Sequence, residues 1–175
     1  MEQNIFSTRG ATVDGMPVAA SKGERAVNVA LVYQDARTRQ WAKQAGERLG
    51  QEAGEEAVHC TEWKISDLVE PRVYSDSVRA LARADVIVIS LYEAERLPSV
   101  FYLWVNLWLQ VRAGFPGALV ALVVPAEEPI FGANETRRYL CAVASQGGLE
   151  LLESNQPGRP IRDFRKDSFQ WSKAA

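Results

Sequence analysis

Ala84 to Arg112 reads Ala-Asp-Val-Ile-Val-Ile-Ser-Leu-Tyr-Glu-Ala-Glu-Arg-Leu-Pro-Ser-Val-Phe-Tyr-Leu-Trp-Val-Asn-Leu-Trp-Leu-Gln-Val-Arg. Asp85 to Ser90 is a β-branched apolar run with no alternation. A strand reads that way when it is parallel to its neighbours and covered on both faces. A loop follows, and then Pro98 opens a third helix, where its fixed φ and missing N–H cost nothing. Working outward, Ala118 to Val124 is a second continuously apolar run and predicts a central fourth strand. Ala26 to Tyr33 predicts the first strand, with Asp35 capping a helix that runs to Leu49 and stops at Gly50 and Gly54. Trp41, Ala45 and Leu49 recur every four residues and define its inner face.

Ala57 to Ile65 alternates loosely, as an edge strand with one wet face does. Ser66 to Tyr74, with Pro71, reads as a loop, and Ser75 or Asp76 caps a short helix burying Val78, Leu81 and Ala82. Gly114, Pro116 and Gly117 mark a sharp turn. Pro125 to Gly132 reads as a loop. Asn134 then caps a fourth helix that ends at Gly147-Gly148 before a fifth strand, Leu149 to Leu152. Strands alternating with helices predict an α/β domain, a doubly wound five-stranded parallel sheet of order 2-1-3-4-5. It spans residues 26–154, between a leader (1–25) expected to be disordered and a basic, aromatic tail (155–175).

The chain has 175 residues, 47% hydrophobic and 24% charged, and its net charge of −2 supplies no field that would draw it to nucleic acid or membrane. No basic n-region with an apolar run opens it, and no apolar stretch is long enough for a membrane span, so the cytoplasm is expected. Cys60 and Cys141 lie in apolar stretches and are expected as two buried thiols in a reducing compartment. His59 is the only histidine, too few for a metal site or a Ser-His triad, and is expected to be structural. Ser90 stands where a phosphoacceptor receiver needs an Asp, no P-loop motif exists, and the third helix lacks the carboxylate of a nucleoside deoxyribosyltransferase. Glu127 and Glu128 are sequence neighbours, which point apart, so no paired-carboxylate chemistry is expected there.

Ligands of such sheets bind beyond the carboxyl ends of the strands, at the switch point between strands 1 and 3. That places Ser90, Leu91, Tyr92 and Leu97 beside Gln34, Arg37, Thr38 and Arg39, whose helix start suits a phosphate. The segment Ala84 to Trp108 then resembles flavodoxin-like proteins, above all the NAD(P)H-dependent FMN reductases. The resemblance rests on Ala84-Asp85-Val86-Ile87-Val88-Ile89, Tyr92, Leu97-Pro98 and Asn106. It implies FMN as cofactor, held by Gln34, Arg37, Thr38, Ser90, Leu91 and Tyr92, with Tyr92 along the flavin ring and hydride taken from NAD(P)H. The chain departs from that pattern at two places. Glu95-Arg96 stands where the family carries a Gly, and Gln34-Asp35 stands where it has the small residues of a phosphate loop. A carboxylate there repels a phosphate dianion, and an N-cap is its simplest role. The alternative is a non-catalytic α/β oligomerisation module that has lost the phosphate loop.

The third helix carries Tyr102, Asn106 and Gln110 as a narrow polar stripe in an otherwise apolar circumference. One sheet needs an apolar stripe of only about 100°. Phe101, Trp104, Leu107 and Trp108 are therefore expected to form a homo-oligomer contact, unless the leader or tail covers them. The tail mixes Arg159, Arg162, Arg165, Lys166 and Lys173 with Phe164, Phe169 and Trp171, and is expected to dock on an apolar groove rather than to bind nucleic acid.

Overall fold

In the computed structural model, residues 26–53, 58–92, 96–124 and 135–154 are described. The expected leader, the tail, Ala57, Glu95, the loop with Glu127 and Glu128, and the Asn134 cap lie outside them. The chain runs β1 (Val27–Tyr33), α1 (Ala36–Ala53), β2 (Val58–Lys64), a 3₁₀ turn (Ile65–Val69), α2 (Pro71–Arg83), β3 (Val86–Tyr92), α3 (Ser99–Arg112), β4 (Gly117–Val124), α4 (Glu135–Gly147) and β5 (Leu149–Ser154). All four strand pairs are parallel, in the order β2-β1-β3-β4-β5. This is the flavodoxin-like topology.

Hydrophobic pattern and strand position agree. β3 is buried from Val86 to Leu91, and β4 from Gly117 to Val123, as interior strands with both faces covered must be. β2, at the edge, leaves His59, Cys60, Glu62 and Lys64 exposed. On one face, Ile87, Ile89, Leu91, Leu119 and Ala121 pack with α2, α3 and α4. On the other, Val29, Leu31, Val86, Val88, Ala118 and Val120 form a second cluster with Ala42, Ala45 and Leu49 of α1.

Five expectations are corrected. The span read as a loop is structured: Ile65 and Leu68 are buried in the 3₁₀ turn, and α2 begins at Pro71 itself. Pro71 occupies a first-turn position, where proline starts a helix rather than breaking one. Gly50 does not end α1, which continues to Ala53. β5 runs two residues past Leu152, to Ser154. Both cysteines are exposed rather than buried. Cys60 sits on the edge strand β2 with its Sγ toward Gly46 of α1, and Cys141 of α4 lies 3.7 Å from Glu153 Oε1 of β5.

The fifth correction concerns α3. Phe101, Trp104 and Trp108 are buried in the core of the same chain. α3 lies between α2 and α4 as well as on the sheet, so more of its circumference is covered than one sheet would cover. Of the four residues expected at an oligomer contact, Leu107 alone is exposed; the outer face is Tyr102, Leu103, Leu107 and Val111. No helix among the described residues is long and apolar enough to cross a membrane.

Candidate functional site

The crevice at the carboxyl ends of β1 and β3 begins with the turn between β1 and α1. Asp35 is the N-cap of α1: its Oδ1 accepts the Thr38 amide at 2.9 Å. Thr38 answers, its Oγ1 accepting the amides of Asp35 at 2.8 Å and Gln34 at 3.0 Å. The Thr38 hydroxyl also donates to Asp35 Oδ1 at 2.9 Å. This is a capping box written Asp-x-x-Thr, with each side chain satisfying the other's backbone. Thr38 is buried to make it.

β3 closes the same knot from its carboxyl end. The Tyr92 amide donates to Gln34 Oε1 at 2.7 Å, and the Tyr92 hydroxyl donates to Asp35 Oδ2 at 3.0 Å. The Tyr92 ring meets Trp41 edge-on at 6.1 Å, and the Arg37 guanidinium lies 5.2 Å over Trp41. Arg39 turns to β2 instead, its Nε 2.6 Å from Glu62 Oε2, with Lys43 on the same carboxylate at 3.3 Å.

Gln34, Arg37, Thr38 and Tyr92 are thus brought to one place, as the sequence predicts. Ser90 faces the α1 side of the sheet beside them. It is fully buried, and its Oγ makes no hydrogen bond among the described residues. Leu91 does not belong to the crevice: it points to the opposite face and packs in the cluster that contains Phe101 and Leu97.

Electrostatics follow from this geometry. Burial alone pushes the Asp35 carboxyl up, but it is outweighed by hydrogen bonds from Thr38, Tyr92 and the Arg37 amide, which together hold it below the usual carboxylate range. The ionised form therefore stabilises the fold fully above the unfolded value near pH ~4, and that contribution fades as pH falls through the depressed folded value. Asp35→Ala is expected to cost about 1–2 kcal/mol at neutral pH in urea melts, and less at pH ~3. Asp35→Asn keeps the cap but removes the titration, so the dependence of its urea midpoint on pH should be flatter. An equal loss at both pH values for Asp35→Ala would contradict the assignment.

The fit of a flavin phosphate is decided at the same atoms. A phosphate at the start of α1 needs free amides there. Those of Gln34, Asp35 and Thr38 already donate within the chain, and the Asp35 carboxylate stands in their midst. A dianion about 4 Å from that carboxylate meets a repulsion of at least ~1 kcal/mol per charge pair even in water. The residues present do not fit FMN through its phosphate.

Among the described residues there is no group of three His, Cys, Asp or Glu able to hold a metal. His59 is exposed on β2. The thiols of Cys60 and Cys141 are pushed up, first by partial burial and then by Glu62 and Glu153 respectively, which makes both poor thiolates. Sequence reading missed two structural side chains at the opposite end of the sheet. Asp85 Oδ2 accepts the Asn28 amide at 2.8 Å, and Arg112 is buried whole. For Asp85 a signal existed, an acid immediately before an apolar strand.

No family model and no curated protein matches the chain. Among solved structures, the Trp repressor binding protein from Bacillus subtilis is similar to it with a TM-score of 0.48 and 11% identity, over 74% of this chain and 89% of that one.

Proposed function

We propose that the chain is a non-catalytic flavodoxin-like module that works by association, with a phosphate cradle filled by its own Asp35 carboxylate. One observation supports this reading above the others: Thr38 Oγ1 and Asp35 Oδ1 already accept the amides at the start of α1 that a phosphate would need. Titration of the purified protein with FMN tests it. Flavin fluorescence should stay unquenched, and FMN at micromolar levels should pass a size-exclusion filter unretained. A retained, quenched yellow chromophore would overturn the reading.

That outcome would favour the second reading, an FMN-binding protein acting as an NAD(P)H-dependent reductase. It has one specific observation on its side: Gln34, Thr38, Ser90 and Tyr92 converge at the switch point, and the Ser90 hydroxyl is buried without a partner among the described residues.

For association we assign the outer face of α3, as a contact between two copies of the chain. Leu103 and Val111 are 64% and 51% exposed, and with Leu107 they form an i, i+4, i+8 row; Val69 lies on the adjoining turn. Sedimentation of the full chain should show a concentration-dependent dimer. Leu103→Lys combined with Val111→Lys should give a monomer with an unchanged melting temperature. A wild-type chain that stays monomeric at ~100 μM excludes this contact.

A further inference from the structure

The outer face of α3 divides into two rows. At about 100° per residue, Leu103, Leu107 and Val111 fall on one row and Tyr102, Asn106 and Gln110 on the other, all of them exposed. Two contacts orient the rows. Tyr102 meets Tyr139 of α4 with ring centroids 5.0 Å apart, and Trp104 donates to Ser77 of α2. The apolar row therefore runs along the α2 side of the face and the polar row along the α4 side. Val69 stands just before α2 and Phe115 just after α3, both exposed, so they mark opposite ends of the apolar row. A second copy of the chain can lie on this face about either of two two-fold axes. An axis parallel to α3 makes the two helices parallel and lays the apolar row of one copy on the polar row of the other. An axis across α3 makes them antiparallel and lays like on like.

We propose that two copies associate through α3 in the antiparallel arrangement, with Leu107 at the axis and Leu103 against the partner's Val111. The proposal rests on the association reading above and fixes its symmetry and register. Leu103 and Val111 are equally far from Leu107 in sequence, as Tyr102 and Gln110 are from Asn106. The same axis thus sets Asn106 against the partner's Asn106 and Tyr102 against the partner's Gln110, so polar groups meet groups they can hydrogen-bond. Val69 comes toward the partner's Phe115. Charge agrees with this choice. Trp104 is level with Ser77, and Arg112 with Leu81 and Ala84, so Leu103 is level with Asp76 and Val111 with Arg83. Antiparallel packing brings α2 beside the partner's α2 and places Asp76 opposite the partner's Arg83, twice over. Asp76 is exposed and holds Arg79 of its own helix at 3.2 Å, a pairing that a surface carboxylate exchanges at little cost.

Disulfide trapping in the full chain tests the register, with Cys60→Ser and Cys141→Ser removing the native thiols. One chain carries Leu103→Cys and a second carries Val111→Cys. Mixed and mildly oxidised, they should form a covalent dimer joining the two different chains. Neither should link to itself, because each position then lies about 12 Å from its own copy, and Cα atoms more than about 7 Å apart cannot be bridged. Leu107→Cys alone should link to itself. Self-linking at 103 and at 111 without the mixed product overturns the antiparallel register while leaving association standing. A dimer in sedimentation that traps at none of these positions overturns the α3 face. A chain that sediments as a monomer and traps nothing overturns the association reading and this proposal together.

Discussion

Arg112→Met is expected to destabilise the protein by about 3–5 kcal/mol, the largest single loss we foresee at a polar position. Arg112 is the last residue of α3 and is fully buried. Its guanidinium donates to four carbonyls: Leu81 at 3.0 Å and Ala84 at 2.8 Å at the end of α2, and Phe115 and Pro116, each at 3.0 Å, in the turn before β4. The last carbonyls of a helix have no partner within it. Here they face inward, and the arginine is their solvent. Burial pushes the guanidinium pKa down, with the Asp85 carboxylate opposing, so the charge is held by carbonyl dipoles and one acid together. Methionine keeps the stem and removes every guanidinium donor from the four carbonyls, of which Leu81 retains the Ala84 amide at 3.3 Å. Lysine has no planar fork and cannot reach both sides, so Arg112→Lys should recover less than half of the loss. Urea unfolding measures both. A loss below ~1 kcal/mol for the methionine variant would mean that water replaces the guanidinium freely.

The neighbourhood leaves no room for adjustment. A Cβ on Gly117 would stand 2.7 Å from the Asp85 carbonyl and run into Arg112 Nη2. Glycine is there for close approach, since the turn brings β4 against the arginine and the start of β3. The Ala113 cap at φ 46° and Gly114 at φ 83° turn the chain tightly enough to bring Phe115 and Pro116 back over the guanidinium.

Trp104→Ala is expected to cost about 4 kcal/mol, measured by the same unfolding. The indole is wholly buried, packs against Phe101 and Trp108, and donates from Nε1 to Ser77 Oγ of α2 at 2.8 Å. Alanine leaves a cavity that the flanking helices, held by the sheet, cannot close. Trp104→Phe should cost about half as much, because Ser77 keeps its own bond to the Tyr74 carbonyl. Trp108 gives the internal control. Its Nε1 makes no hydrogen bond among the described residues, so Trp108→Phe forfeits volume alone and should cost less than Trp104→Phe. Equal losses for the two would remove Ser77 from the account. Neither tryptophan variant should change the oligomeric state, because both rings are internal.

The candidate site was half legible. Asp35 announced itself as a cap, since a short acid before a helical period has few other uses there. The i, i+3 spacing to Thr38 was visible too, but not that threonine would return two hydrogen bonds. The engagement of Gln34 and Asp35 by Tyr92, 58 and 57 residues away, had no local signal at all. α3 failed for a related reason. A helix that is apolar nearly all round is compatible with a partner or with a crowded interior, and periodicity measures the width of the stripe without saying who stands opposite.

What the amino-acid order determined by itself was the layer plan: two uninterrupted apolar runs must be interior parallel strands, alternating or short ones must be edges, and the 2-1-3-4-5 order follows. Those are properties of neighbours in the chain, and the hydrophobic effect acts on them without direction. Tertiary structure alone decided where Arg112 goes, which rings of α3 turn inward, and that Tyr92 closes on Gln34 and Asp35. Hydrogen bonds are directional, and Arg112 is about thirty residues from the Leu81 and Ala84 carbonyls and Tyr92 nearly sixty from Gln34 and Asp35, so only the folded chain brings these donors and acceptors within reach.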